Sequence, residues 1–103
     1  MRLSQNQISA ILKSKEAFFP HAKIYLFGSR LDDSRSGGDI DLYILSEKRV
    51  LDGIKKKIDF LVMLKSLIGD QRIDVVLADQ SQNRLIDQIV KKEGILLKIS
   101  KSY

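Results

Sequence analysis

The sequence predicts an α/β (α+β) fold, a sandwich in which helices pack against a β-sheet. Helical and extended hydrophobic patterns alternate along the chain, and this alternation is typical of helices layered on a sheet. Of the 103 residues, 44% are hydrophobic, which is enough for one modest core. We therefore expect residues 1–103 to form a single domain.

The first predicted element is a helix that begins at Ser4 and ends before Pro20. Ser4 and Gln7 have the spacing of a capping box, and proline cannot continue a helix. Residues 24–27 follow as a short β-prone strand, which Gly28 ends. The apolar positions expected on the buried face of the helix are Ile8, Ile11, Leu12, and Phe18 or Phe19.

A connection and a second strand come next. Ser29 can cap a brief helical turn over residues 29–33, and the Ser- and Gly-rich stretch 34–38 predicts a flexible connection. Residues 39–45 are the second predicted strand. The sequence thus places a Gly-Ser turn shortly before a strand that begins with an acidic residue.

The second half of the chain repeats the alternation. It predicts a long helix over residues 47–68, a strand over 72–77, a helix over 82–93 and a short strand over 95–99. Gly69 and Gly94 are plausible C-terminal caps of the two helices. The positions expected to face inward are Val50, Leu51, Ile54, Ile58, Leu61, Val62 and Leu64 in the first, and Leu85, Ile86, Ile89 and Val90 in the second.

Composition excludes several classes of protein. No cysteine is present and His21 is the only histidine, so a disulfide framework and a thiolate or histidine-cluster metal site are excluded within one chain. Any metal must be held by oxygen. No apolar run approaches the roughly 20 residues of a membrane span, and the N-terminus is unlike a signal peptide. We expect a soluble, cytoplasmic protein with no membrane association.

The formal charge of +5 favours an anionic partner. It does not distinguish nucleotides, RNA and an acidic protein from one another. Basic residues are spread out and no aromatic side chains are interleaved with them to stack on bases. The run of lysines at residues 55–57 is therefore interpreted as a solvated helix face rather than a nucleic-acid patch.

Two carboxylates in the second strand carry the chemical interpretation. Side chains alternate across a strand, so Asp39 and Asp41 share one face, whereas the apolar residues at 40, 42 and 44 face the core. Two like charges held this close are unfavourable unless water or a cation intervenes. Oxygen ligands without His or Cys select Mg²⁺ or Mn²⁺ over zinc.

A third carboxylate and a phosphate-binding turn complete the candidate site. Asp74 lies in the third strand between two apolar residues. If the second and third strands are neighbours, three carboxylates converge. Three carboxylates are the number that a two-metal phosphoryl-transfer site can use. The backbone amides of Gly28 and Ser29, and the Ser29 hydroxyl, can bind phosphate oxygens. Glycine lets the backbone approach phosphate without a Cβ in the way.

Taken together, these segments resemble the DNA polymerase β superfamily of nucleotidyltransferases, and especially its smallest branch, the minimal nucleotidyltransferases. The similar segments are Phe-Gly-Ser-Arg at 27–30, Gly-Asp-Ile-Asp-Leu at 38–42 and Ile-Asp-Val at 73–75, within a resemblance that runs from about residue 24 to 76. It implies a small mixed β-sheet flanked by helices. The combination of motifs at this spacing is specific, although each alone is weak.

The resemblance also implies roles for individual residues. Gly28 and Ser29 bind the triphosphate, Asp39 and Asp41 hold two Mg²⁺ ions, and Asp74 completes the catalytic metal site and helps deprotonate the acceptor. Arg30 is a candidate clamp on the triphosphate, although a loop arginine is as readily explained by solvent exposure.

The expected activity is transfer of a nucleoside monophosphate, AMP from ATP, to a hydroxyl with release of pyrophosphate. The chain is too short to include a separate acceptor domain, so a partner must supply the acceptor. Minimal nucleotidyltransferases are often antitoxins whose partner is a HEPN-domain toxin, modified on a tyrosine or simply bound. The resemblance therefore implies such a toxin or another protein acceptor, and a homo- or hetero-oligomer.

Two other functions stay open. One is a non-catalytic antitoxin that keeps the fold and acts by direct binding; the other is a nucleic-acid-binding accessory protein, suggested only by the charge. Tyr43 shares a face with Asp41 and is explained equally well by a nucleotide pocket or by packing at a sheet edge. Solvated acids without a role are expected at Asp32, Asp33, Asp52, Asp59, Asp79 and Asp87.

Overall fold

The computed structural model describes residues 3–28 and 39–98. Within these ranges the chain forms three helices and four strands, and the predicted α+β fold is confirmed. In chain order the elements are α1 (Gln5–Phe18), β1 (Lys23–Phe27), β2 (Ile40–Ser46), α2 (Gly53–Ile68), β3 (Ile73–Asp79), α3 (Leu85–Glu93) and β4 (Ile95–Leu96).

The four strands form one mixed sheet in the order β3-β2-β1-β4. β2 and β3 are parallel, whereas β1 runs antiparallel to both of its neighbours, β2 and β4. The mixed sheet implied by the family resemblance is thus confirmed. Because β1 runs against β2 and β3, its C-terminal end lies at the same edge of the sheet as the beginnings of β2 and β3.

The larger core lies between one face of the sheet and the helices α1 and α2. β2 contributes Ile40, Leu42 and Ile44, each at most 1% exposed, because alternate residues of a strand face the same side. Phe60 of α2 is fully buried, and its ring meets that of Phe19 edge to face at 6.1 Å. The remaining residues of β2 therefore face the other side of the sheet.

A smaller cluster covers the opposite face. Tyr43, Ala78 and Val90 are buried there, with partly buried apolar neighbours from β1, β2, β3 and α3. The sheet therefore has helices on both faces, and α3 is the helix on the face to which Asp41 and Asp74 belong.

The predicted start of α1 is confirmed. Ser4 is its N-cap, with the Gln7 amide donating to the Ser4 hydroxyl at 3.1 Å and the Ser4 amide donating to Oε1 of Gln7 at 2.9 Å. This reciprocal arrangement satisfies two amides that the first turn of a helix leaves unpaired. Ile11 and Phe19 are buried as expected.

The prediction for α2 was partly wrong. The helix begins at Gly53 rather than at residue 47, because Asp52 adopts a left-handed conformation with φ of 54° and interrupts the helical path. Ile54, Ile58 and Val62 were expected to face inward, but they are exposed, as is Leu51 before the helix. The inward face is instead centred on Phe60 and Leu64.

Similar corrections apply to the end of the chain. α3 begins at Leu85 rather than at residue 82, and Leu85 and Ile89 are exposed at 73% and 38% instead of buried. The last strand covers Ile95–Leu96 only. The turn predicted over residues 29–33 and the connection over 34–38 lie outside the described residues. No helix in the described part of the chain is long and apolar enough to cross a membrane.

Candidate functional site

The strand register brings two of the predicted carboxylates side by side. Asp41 of β2 is directly opposite Asp74 of the parallel strand β3, and on its other side it is opposite Phe27 of β1. Paired residues in neighbouring strands point to the same face of a sheet. Asp39 lies immediately before β2 and two residues from Asp41, which places it at the same edge.

Exposure differs among the three acids. Asp74 is exposed, Asp41 is partly buried, and the Asp39 side chain is 45% exposed. Arg72 lies beside Asp39, with Nε 3.9 Å from a carboxylate oxygen, and its carbonyl accepts a hydrogen bond of 3.0 Å from the Ile40 amide. The backbone bond joins the starts of β2 and β3, and so helps to hold Asp39 at the level of β3.

Gly28 stands against the carboxylate of Asp41. Its φ is 79°, in the left-handed region that favours glycine, and it directly follows the residue paired with Asp41. A Cβ at this position would clash with Oδ2 of Asp41 and lie 3.1 Å from its Cγ. Only glycine therefore lets the Asp41 carboxylate lie this close to the backbone at the end of β1.

These donors fit a hard divalent cation. Among residues 3–28 and 39–98, no three His, Cys, Asp or Glu side chains stand close enough to hold a metal ion as they are. Mg²⁺, however, is usually bound through one or two carboxylates, with water and substrate phosphates completing its shell. The adjacent Asp41 and Asp74, with Asp39 beside them, match that donor set.

The roles of the other predicted residues stay predictions. Ser29 and Arg30, which were predicted to bind phosphate, lie outside the described residues. The metal-binding and catalytic roles of Asp39, Asp41 and Asp74 are likewise inferred from placement. Arg72 was not identified from the sequence, because only the register of β3 against β2 places its side chain beside Asp39.

Comparison with known proteins gives the family. Residues 6–102 match the family described as polymerase beta, nucleotidyltransferase. The chain belongs to this nucleotidyltransferase family. It is thus a nucleotidyltransferase, of a family whose members use a nucleoside triphosphate and a divalent metal ion. No curated protein matches the chain.

Solved structures with a similar fold include toxin–antitoxin proteins. A crystal structure of a toxin–antitoxin with AMP-PNP has a TM-score of 0.64 and 28% identity, covering 91% of this chain and 74% of that one. A mutant of the toxin–antitoxin MntA–HpeT gives 0.63 and 27%, over 91% and 74% of the two chains. A protein from Shewanella oneidensis, 19% identical with a TM-score of 0.62 over 95% and 74%, shows the shared fold alone.

A hydrogen-bonded group lies on the same face of the nucleotidyltransferase, further along β2. The Tyr43 hydroxyl donates to Asp87 at 2.7 Å, and the Arg84 guanidinium donates to the same carboxylate at 2.9 and 3.1 Å. Arg84 also reaches the Leu77 carbonyl at 3.1 Å. The prediction that Asp87 is a solvated acid was wrong: it is only 8% exposed, and it joins α3 to the sheet.

Tyr43 lines a cavity between the sheet and α3. The cavity measures about 210 Å³ and also borders Tyr25, whose ring centre is 6.1 Å from that of Tyr43. The proposed packing of Tyr43 at a sheet edge is wrong, because β2 lies between β3 and β1. The Tyr43 hydroxyl already donates to Asp87, so the ring of Tyr43 lines the cavity and its hydroxyl is not a free donor there. Burial, followed by the bond to Asp87, raises the pKa of Tyr43.

This group predicts a specific loss of stability in acid. Hydrogen bonds from Arg84, and then from Tyr43, lower the pKa of Asp87 from 3.8 to about 2, although its burial opposes the shift. A depressed folded-state pKa stabilises the protein above the unfolded value, so this contribution is lost as the pH falls from about 4 to 2. We expect Asp87→Asn to reduce the free energy of unfolding by about 1–3 kcal/mol at neutral pH.

Urea unfolding followed by circular dichroism between pH 7 and pH 2 measures this effect. The difference in unfolding free energy between the wild type and Asp87→Asn should shrink as Asp87 becomes protonated. Asp59→Asn, at a partly exposed acid of α2, is the matched control and should show no such convergence. A constant difference for Asp87→Asn across this range would contradict the assignment.

Proposed function

We propose that this nucleotidyltransferase moves AMP from ATP to a hydroxyl of a partner protein and releases pyrophosphate. The observation that carries the proposal is the pairing of Asp41 with Asp74, next to a glycine whose missing side chain makes room for the Asp41 carboxylate. The family match supports the reaction class. The similar toxin–antitoxin structure with AMP-PNP supports an adenine nucleotide as the donor.

In this proposal, Asp39, Asp41 and Asp74 hold two Mg²⁺ ions. Bound magnesium neutralises charge on the phosphates and lowers the pKa of the attacking hydroxyl. The turn that begins at Gly28 holds the β and γ phosphates through backbone amides and the Ser29 hydroxyl, with Arg30 as a second contact. Gly28 also lets the Asp41 carboxylate keep its position, since any side chain at residue 28 would meet it.

In the proposed transfer, one bond to phosphorus forms and one breaks, and a carboxylate of this chain accepts the proton. The acceptor oxygen forms a bond to the α-phosphorus of ATP, and the bond from that phosphorus to the oxygen bridging to the β-phosphate breaks, so the electron pair leaves with pyrophosphate. Asp74 takes the hydroxyl proton. Asp74 is suited to this role because it is exposed at the beginning of an edge strand, where another protein's side chain can reach it.

The proposed acceptor is a tyrosine of a HEPN-type toxin, and the proposed biological role is that of an antitoxin in a hetero-oligomer. The similar structures named above are toxin–antitoxin proteins, which supports a toxin partner for this chain. An acceptor from a second protein also agrees with the open position of the carboxylates at the rim of the sheet.

Mass spectrometry of the partner tests the proposal. The chain is co-expressed with the protein encoded by the adjacent gene, and the intact mass and tryptic peptides of that protein are measured. We expect an added AMP on a tyrosine with the wild type, and none with the double variant Asp39→Asn and Asp41→Asn. Glu16→Gln, at an exposed acid of α1, is the control and should leave the adduct in place.

The same experiment separates this function from neutralisation by contact. If the double variant at Asp39 and Asp41 binds and neutralises the partner as well as the wild type does, and no adduct forms with either, the antitoxin acts by binding alone. An unmodified partner together with an active wild type therefore refutes the transfer reaction.

A further inference from the structure

Large apolar side chains line the outer face of α2 where solvent would be expected. Ile54, Ile58 and Val62 are 78%, 55% and 65% exposed, and Leu51, just before the helix, is 84% exposed. Residues four apart in a helix lie on the same face, so these side chains form one continuous surface, here named the α2 stripe. The opposite face of α2 supplies Phe60 and Leu64 to the core.

The α2 stripe borders an open depression. This depression measures about 1100 Å³ and lies between the start of α2 and the C-terminal ends of β2 and β3. Its apolar lining comes from Leu51, Ile54 and Ile58 of the stripe, together with Val50 and Leu77. A stripe of this length beside a concave region has the form of a groove that accepts an amphipathic helix.

The charges around the stripe select the kind of partner. α2 carries Lys55, Lys56, Lys57 and Lys65 against a single acid, Asp59, which lies 3.7 Å from Lys55. The depression itself is balanced, with Arg49 and Lys55 against Asp52 and Asp79, so the positive charge belongs to the helix. If a second copy docked through the same stripe, the lysines of the two α2 helices would face each other. Each copy carries a charge of +5, so this contact would be repulsive. An apolar surface with acidic flanks complements the stripe in both hydrophobicity and charge.

The stripe is also separate from the candidate active site. Ser46, which lines the depression, is five residues beyond Asp41 on β2, or about 17 Å along the strand. The carboxylates lie at the beginnings of β2 and β3, whereas the depression lies at their ends. A partner bound to the stripe therefore leaves Asp41 and Asp74 accessible.

We propose that the α2 stripe is the docking surface for the partner protein, and that it binds a helix with apolar side chains at four-residue spacing and acidic residues on its flanks. The inference rests on the proposed function for the existence of a protein partner. It adds where that partner is held, at a surface distinct from the site of nucleotide transfer.

Binding measurements test the surface without using catalysis. The full chain is titrated by isothermal calorimetry with the purified protein of the adjacent gene, in wild type and in Ile54→Glu and Ile58→Glu. Both variants place a charge on an exposed apolar position, and both should weaken binding at least tenfold. Leu85→Glu, at an equally exposed leucine on α3, is the matched control and should bind within about twofold of wild type.

Each result supports or overturns the inference. Lys55→Glu should weaken binding relative to the wild type and reduce its dependence on salt. No binding by the wild type, an equal loss with Leu85→Glu, or no loss with Ile54→Glu and Ile58→Glu would refute the surface. Self-association of the wild type that Ile58→Glu abolishes, seen by sedimentation, would assign the stripe to a second copy and also refute the proposal.

Binding of the partner can be measured separately from the transfer reaction. Asp39→Asn with Asp41→Asn should bind the partner as tightly as the wild type while forming no adduct. Ile58→Glu should form the adduct only when partner concentration is raised. Loss of adduct with retained binding thus reports on the active site, and weakened binding with the adduct restored at raised partner concentration reports on the stripe.

Discussion

Asp41→Asn should lower the rate of nucleotidyl transfer on the order of a thousandfold, the effect of removing one preorganised charged group from such a site. Asp41 occupies the centre of the candidate site, opposite Asp74 and against Gly28. Asparagine keeps the shape of the side chain and removes the negative charge, so the site loses affinity for a divalent cation while the strand pairing is preserved. Transfer of label from α-labelled ATP to the partner, followed over time, gives the rate.

Two comparisons make this test specific. Glu16→Gln changes an exposed acid on α1, outside both the candidate site and the α2 stripe, and should leave the rate unchanged. Thermal unfolding of Asp41→Asn should show that the fold persists. Transfer by Asp41→Asn at a rate near that of the wild type, at saturating Mg²⁺, would remove Asp41 from the catalytic group.

Gly28→Ala should reduce transfer at least a hundredfold, a loss of about 2.7 kcal/mol in transition-state stabilisation. The added Cβ would occupy the space beside Asp41 and push its carboxylate or the backbone of the turn away. Left-handed φ adds backbone strain of about 1–3 kcal/mol for a residue other than glycine. Both activity and stability should therefore fall.

Gly69→Ala separates these two effects. Gly69 also has a positive φ, of 92°, but a Cβ there would meet nothing within 4 Å. It should therefore lose stability in chemical denaturation by an amount similar to Gly28→Ala and keep its transfer rate. If Gly69→Ala loses as much activity as Gly28→Ala, strain rather than contact with Asp41 explains the effect.

The facing of the side chains in β2 was predictable, because successive residues of a strand point to opposite faces of the sheet. In β2 the apolar residues Ile40, Leu42 and Ile44 alternate with Asp41 and Tyr43, and alternation across a strand fixes which residues share a face. That Asp39 and Asp41 share one face was therefore predictable from the strand alone. The position of Asp74 beside them was predictable only on the condition that the two strands are neighbours, since strand pairing depends on contacts between distant parts of the chain.

Hydrophobic periodicity was less reliable for the helices. The apolar pattern around α2 continued through Leu51, but the left-handed Asp52 delays the start of the helix, and no local signal marked this conformation. Periodicity also cannot distinguish a helix face that is buried in the core from an apolar helix face that is exposed. Ile54, Ile58 and Val62 have the spacing of core residues and are nevertheless exposed.

Long-range polar contacts were not predictable at all. Asp87 is 44 positions from Tyr43 in the chain, and its burial follows from the docking of α3 on the sheet. Arg72 likewise meets Asp39 only through the parallel pairing of β2 and β3. Such pairs depend on topology, and a single sequence contains no local pattern for them.

Because β1 runs antiparallel to β2 and β3, the two ends of the sheet bring different parts of the chain together. One end holds Gly28 and the beginnings of β2 and β3, where Asp41 and Asp74 are paired. The other end holds the segments after β2 and β3, at residues 47–52 and 80–84. Loops at that second end can therefore be exchanged by design with little effect on the position of the paired carboxylates.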